Sequence, residues 1–353
     1  MACFDLPLFF MIKPHLFLTI SLIFSSADAV LGRYASVFSF GDSLIDTGNR
    51  FYIDDADPMG RFPYGMSFFH HPTGRSSDGR VVVDFIAEAL GIPFLPPYLA
   101  SHSDSQQLRH GANFAVAGAT ALPADFFMER EIEGVLANVS LGNQIAWFLD
   151  HLPSLCTSPS VCGNPWRETL FLVGEIGVND YCIPFDSGLK LEEIRTFVPQ
   201  VVSTVALAVD VSAKETEIPS YCLLTLIKHG ATSLVVPGVM PLGCYADTLT
   251  ISESSNKEDY EPQTGCLKNW NELCQYHNRL LNIELSRLRD MHPHATIAYA
   301  DYYNAVLQVF PSPQQFGELA SSSCTFSRSL IAFGSIRFIG LFVIALQGLA
   351  REP

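Results

Sequence analysis

Residues 35–49 read Ala-Ser-Val-Phe-Ser-Phe-Gly-Asp-Ser-Leu-Ile-Asp-Thr-Gly-Asn, and they place a serine where nucleophilic chemistry is easiest to arrange. Residues 37–40 form a short β-branched and aromatic run bounded by Gly41, which predicts a buried strand followed by a tight turn. Ser43 then stands at the carboxyl end of a strand, beside the expected start of a helix. Ligands of open α/β sheets bind outside such strand ends, and backbone N–H groups there can stabilise an anion. Asp42 and Ser43 are also good N-cap types, so helix capping is the competing reading of Ser43.

Two later stretches have the composition of partners for such a serine. Residues 111–120, Gly-Ala-Asn-Phe-Ala-Val-Ala-Gly-Ala-Thr, are mostly Gly, Ala and Thr. Small residues let a backbone approach another group closely, and Gly118 can turn its N–H toward a ligand without steric cost; close strand–helix packing explains the same composition. Residues 169–173, Thr-Leu-Phe-Leu-Val, are the continuous apolar run of a strand buried on both faces. They open into Gly-Glu-Ile-Gly-Val-Asn-Asp-Tyr at 174–181, where Asn179 can present an NH₂ donor toward developing negative charge or simply form an Asx turn.

Phe40-Gly41-Asp42-Ser43-Leu44, followed by Asp46, Gly48 and Asn49, resembles the nucleophile block of the GDSL esterase/lipase family, in particular its plant branch. Residues 111–120 resemble the second block of that family and residues 174–181 the third. Gly74-Arg75-Ser76-Ser77-Asp78-Gly79-Arg80 and the Pro241-Leu242-Gly243-Cys244 turn are also similar to plant members. The resemblance runs from about residue 35 to 316. It implies a serine hydrolase of carboxylic esters, small or lipid, that needs no cofactor. Ser43 would be the nucleophile and, through its N–H, an oxyanion donor; Gly118 N–H and the Asn179 side chain would be the other donors. The family's base and its orienting carboxylate come from a late Asp-x-x-His segment. This chain has no histidine after His294, so no catalytic Asp/His pair is found. The alternative is therefore a catalytically impaired or non-catalytic isoform, binding or regulatory, or the product of an incorrect gene model.

The elements that must position these residues follow from periodicity. Helical spacing marks residues 81–90, with Ser77 or Asp78 as cap and Gly91 as stop, and residues 141–152, 191–206, 223–229 and 267–288. Strands are expected at 37–40, 169–173, 232–237 and 296–300. Such alternation predicts a parallel sheet with helices on both sides. The resemblance implies an α/β three-layer α/β/α sandwich with a mostly parallel, flavodoxin-like central sheet. Pro219, in the segment 210–220, interrupts the helical pattern at a cost of about 3 kcal/mol in a helix interior. His277 lies on the apolar stripe of its helix and reads as a packed residue. His70 and His71 fall in a loop, and His292 and His294 precede the last strand, on the sheet edge opposite the serine.

With 353 residues, 48% of them hydrophobic, the chain can bury a large core. A formal net charge of −15 argues against nucleic acid or an anionic membrane as partner. No Cys/His spacing suits a metal and no Gly-rich loop suits a nucleotide. Residues 16–24 are an apolar run followed by Ser-Ser-Ala-Asp-Ala, which reads as a secretory signal peptide over residues 1–29, cleaved after Ala29, rather than a membrane anchor. A hydrolase domain is then expected over 30–317, with a divergent tail over 318–353. Eight cysteines remain after cleavage, compatible with disulfides in an oxidising compartment; Cys156 and Cys162 flank a loop they can close. Asn138-Val139-Ser140 is an acceptor sequence for N-glycosylation.

Overall fold

The computed structural model describes residues 33–101, 107–135, 138–155, 166–210 and 226–308. The signal-peptide region, the Cys156–Cys162 loop, most of the 210–220 interruption and the whole tail lie outside the described residues. Five strands, β1 (Ser36–Phe40), β2 (Gly111–Asn113), β3 (Thr169–Val173), β4 (Ser233–Pro237) and β5 (Thr296–Ala300), form one sheet. Its order is β2-β1-β3-β4-β5 and every neighbouring pair is parallel. This is the 2-1-3-4-5 order of flavodoxin-like doubly wound sheets. Periodicity anticipated four of the five strands. β2 escaped because three residues of Gly-Ala-Asn carry neither alternation nor a β-branched run.

The five longest helices among the described residues are α1 (Val82–Leu90), α2 (Leu141–Leu155), α3 (Asn179–Asp186), α4 (Val198–Val209) and α5 (Lys268–Met291). Successive strand residues alternate between two buried clusters, because side chains along a strand point to opposite faces. Phe38 and Phe40 of β1, Phe171 and Val173 of β3, and Leu234 and Val236 of β4 join one cluster with α2, α4 and α5. Val37, Leu170, Leu172 and Val235 join the other, which α1 and Tyr302–Leu307 cover. The sandwich therefore has three layers. Its first cluster is centred on aromatic rings: Phe38 lies 5.0 Å from Phe148, and Phe40 stacks on Phe114 at 5.3 Å.

Helix starts differ from the sequence expectation in their caps. Neither Ser77 nor Asp78 caps α1. Instead Asp84, inside the first turn, accepts the Val81 N–H at 2.9 Å and pairs bidentately with Arg75 at 2.7 and 2.8 Å. Arg75 also donates to the Thr47 carbonyl, so the Gly74–Arg80 motif fastens a loop to the turn after β1. Ser43 does not cap a regular helix either: the helix after β1, Asn49–Ile53, begins six residues further on, and one hydrogen-bonded turn fills the gap. Pro153 sits in the last turn of α2, which runs three residues past its expected end.

β2 approaches β1 through Gly111, whose φ is +102° and where a Cβ would overlap the Val37 carbonyl oxygen. Gly111→Ala is expected to destabilise the fold by about 2 kcal/mol or more, read as a lowered urea midpoint at unchanged slope.

Candidate active site

The sheet order reverses between β1 and β3, since the chain leaves β1 toward β2 on one side and returns to β3 on the other. Doubly wound sheets bind ligands in the crevice at that switch point. The turn after β1 and the turn after β3 meet there: the Asp42 N–H donates to the Glu175 carbonyl at 2.8 Å. Gly41 is buried and its backbone is met on both sides by Gln144 of α2, which accepts the Gly41 N–H at 2.7 Å and donates to its carbonyl at 2.8 Å. The Val116 N–H donates to the same carbonyl at 3.1 Å, bringing the 111–120 segment alongside.

Ser43 and Asn179 line one cavity of about 180 Å³, together with Asp42, Cys182, Tyr245 and Trp270. Asn179 Nδ2 donates to the Ala119 carbonyl at 2.8 Å, so Gly118 lies next to the residue that Asn179 holds. All three candidate residues from distant parts of the chain thus gather at the carboxyl rim of the sheet. Gly118 has φ +84° and is half-buried. The N–H groups on either side of Ser43 and of Gly118 are spent, on Glu175, Asp42, Asp46 and Val116. Among the described residues neither the Ser43 N–H nor the Gly118 N–H has a partner. The Asn179 carboxamide carries two N–H donors and spends one on Ala119.

Four acidic side chains are buried around this turn. Burial raises Asp42 to about 7, against a weaker opposing hydrogen bond from the Leu44 N–H. Burial likewise raises Asp180 to about 7 and Asp46 to about 6, each opposed by the backbone N–H groups it accepts. Glu175 is pushed well up by burial and by Asp42 nearby. Asp46 accepts the N–H groups of Gly48, Asn49, Arg50 and Ala117, and Asp180 accepts those of Ala121 and Leu122. Asp46 and Asp180 fell inside quoted motifs, but their types alone gave no role. Gln144 had a signal that was available: it sits among Leu141, Ile145 and Phe148 on the apolar stripe of its helix, where an uncharged polar residue needs an internal partner.

Among the described residues no histidine lines the cavity of Ser43. His277 is packed inside, as its helix position implied: it hydrogen-bonds the Tyr181 hydroxyl at 2.7 Å, and burial pushes its imidazole down to about 3. His70 and His71 are exposed in the loop and bond only nearby carbonyls. His292 pairs with Asp210 at 2.7 Å, but at the amino-terminal edge of the sheet, ahead of β5. Cys244 and Cys266 form a disulfide that ties the Pro-Leu-Gly-Cys turn to the loop before α5, while Cys182 and Cys274 are free thiols. Asn138 is exposed, and Ser140 of the same sequon is buried against Asn143.

The sequence profile described as GDSL-like lipase/acylhydrolase matches residues 37–320. One GDSL esterase/lipase of Arabidopsis thaliana is 44% identical over 305 residues, 86% of this chain and 73% of its own length. Another is 45% identical over 295 residues, covering 83% and 71%. A sinapine esterase of Brassica napus is 40% identical over 306 residues, covering 86% and 75%. The chain belongs to the GDSL-like lipase/acylhydrolase family, and by that resemblance it is a serine hydrolase of carboxylic esters.

The shifted groups fix the sign of the pH dependence. Asp42, Asp46 and Asp180 hold protons in the folded state at pH values where an unfolded carboxyl near 3.8 has lost them, so their contribution fades as pH rises from about 4 to about 7. His277, held neutral, works in the opposite direction below its unfolded value of 6.5. Three carboxyls outweigh one imidazole. The thermal unfolding midpoint is expected to rise when the pH is lowered from about 7.5 to about 5.5, as differential scanning calorimetry would record.

Proposed function

We propose that this chain is a secreted carboxylic-ester hydrolase whose nucleophile is Ser43. The Ser43 hydroxyl attacks the ester carbonyl and gives its proton to a base outside the described lining of the cavity. The tetrahedral oxyanion is held by the Ser43 N–H, the Gly118 N–H and the second N–H of Asn179. Its collapse expels the alcohol and leaves an acyl-serine that water hydrolyses. The observation that carries this reading is the pattern of unspent donors. The N–H groups of Ser43 and of Gly118 are unspent between neighbours that are paired, and Asn179, which lines the cavity of Ser43, has one side-chain N–H left. Such donors stabilise charge that develops only in the transition state, which is where they accelerate reaction.

The substrate class is a small or lipid carboxylic ester, since the relatives' names span esterase, lipase and an esterase of sinapine. Secretion rests on the apolar leader ending at Ala29, and N-glycosylation of Asn138 on its exposed sequon. No helix among the described residues is long and apolar enough to cross a membrane.

One observation favours a second reading, a catalytically impaired isoform: among the described residues no histidine lines the cavity of Ser43. Triad enzymes stripped of a member keep a residual rate of roughly 10³–10⁴ over water from the oxyanion hole and binding. Hydrolysis of p-nitrophenyl butyrate by the purified protein tests both readings. Ser43→Ala is expected to bring turnover of a competent enzyme down to that residual range. Equal turnover by both proteins well above that range removes Ser43 from the mechanism. A wild-type rate already within the residual range and unchanged by Ser43→Ala identifies the impaired form.

A further inference from the structure

The oxyanion loop raises a question that the nucleophile does not answer, namely what holds the Gly118 amide in place. Glycine at φ +84° in a run of alanines has no side chain to anchor it, and neither Ala117 nor Ala119 packs with more than a methyl group. The anchoring is polar and comes from two buried carboxylates on different elements. On one side of Gly118, Asp46 Oδ2 accepts the Ala117 N–H at 2.8 Å. The other oxygen of Asp46 accepts the Gly48 and Asn49 N–H groups at 2.7 Å each, which fixes the carboxylate to the nucleophile turn. On the far side, Asp180 Oδ2 accepts the Ala121 N–H at 2.8 Å and Oδ1 the Leu122 N–H at 2.9 Å. Asp180 follows directly on Asn179, whose carboxamide takes the Ala119 carbonyl between the two clamps. Both carboxylates are fully buried.

We infer that Asp46 and Asp180 are positioning residues for ester hydrolysis: two carboxylate clamps that hold residues 117–122 so that the Gly118 N–H stays beside Ser43 and Asn179. The inference rests on the reading of Ser43 and Gly118 given above. Each clamp ties the loop to one of the other two catalytic elements. Asp46 couples it to the turn that carries Ser43, and Asp180 to the start of the helix that carries Asn179. The clamps need acceptors at both oxygens. In Asp180→Asn one oxygen becomes an NH₂ facing the N–H of Ala121 or Leu122, donor against donor. In Asp46→Asn the amide nitrogen meets the N–H groups of Ala117 and Arg50, or those of Gly48 and Asn49.

The test is steady-state hydrolysis of p-nitrophenyl butyrate by the full chain and by Asp46→Asn, Asp180→Asn and Ser43→Ala, with far-UV circular dichroism of each. Asp180→Glu keeps an acceptor but displaces it by one methylene, and stands in if the amide variants do not fold. Loss of one oxyanion donor lowers kcat by about 10²–10³, so a displaced one is expected to lower it by about tenfold or more with KM held within about threefold. That split in a variant with unchanged circular dichroism supports the inference. A folded variant with wild-type kcat overturns it and leaves the assignment of Ser43 standing. A fall in activity that follows loss of circular dichroism in Asp180→Glu as well as in the amide variants overturns it too, since the role would then be structural. Absence of any turnover above Ser43→Ala in the wild-type chain overturns the reading of Ser43 itself, and the clamp inference with it.

Discussion

The constraint on which this structure turns is that backbone leaving a buried strand must still find partners for its N–H and C=O groups. Where β1 ends, water is largely excluded and the sheet no longer supplies the next hydrogen bond. The missing partners arrive from four directions: Gln144 from a helix, Val116 from the small-residue segment, Glu175 from the turn after β3, and Asp46 from the turn itself. Each of these bonds also fixes the position of another piece of chain. The same accounting that lets the strand end without loss therefore assembles the cavity, and the groups it leaves unpaired are the ones available to a ligand.

The carboxylates in this assembly illustrate why a buried charge is tolerated at a site. Taking a carboxylate out of water is costly unless it is met by donors, and here the donors are backbone N–H groups that would otherwise be orphaned themselves. Asp46 satisfies four of them and Asp180 two. The remaining cost shows in the raised proton affinity of Asp42, Asp46, Asp180 and Glu175, whose first cause in every case is burial. Such strain is common where function requires a fixed arrangement of donors.

Position on the sheet matters as much as chemical type. The chain does contain a histidine hydrogen-bonded to an aspartate, His292 with Asp210, and in isolation that pair has the composition of a base and its orienting group. It lies ahead of β5, at the amino-terminal edge, whereas Ser43, Gly118 and Asn179 lie at the carboxyl rim. A parallel sheet separates its two edges by the full length of the strands, so sequence proximity to a strand end says nothing until the direction of that strand is known.

Much of this was legible in the sequence because local chemistry dictated it. The continuous apolar run at 169–173 required a strand covered on both faces, residues 232–237 read as a further strand, and the stripe along α5 required a packed helix with His277 inside it. The serine, the glycine and the asparagine at strand-end turns could be named as candidates from residue type and from resemblance, and the folded chain adds that they meet at one rim of the sheet. The strand β2 was not, because its pairing with β1 depends on Gly111 fitting against the Val37 carbonyl, a property of two segments together. Nor were the clamps. Whether Asp46, Gln144 or Asp180 caps a turn, faces solvent or holds a loop more than fifty residues away in sequence depends on which donors lie within 3 Å, and only the folded chain decides that. Sequence sets which groups must be satisfied; tertiary structure chooses their partners, because a hydrogen bond is a matter of distance and direction between atoms that the chain order does not relate.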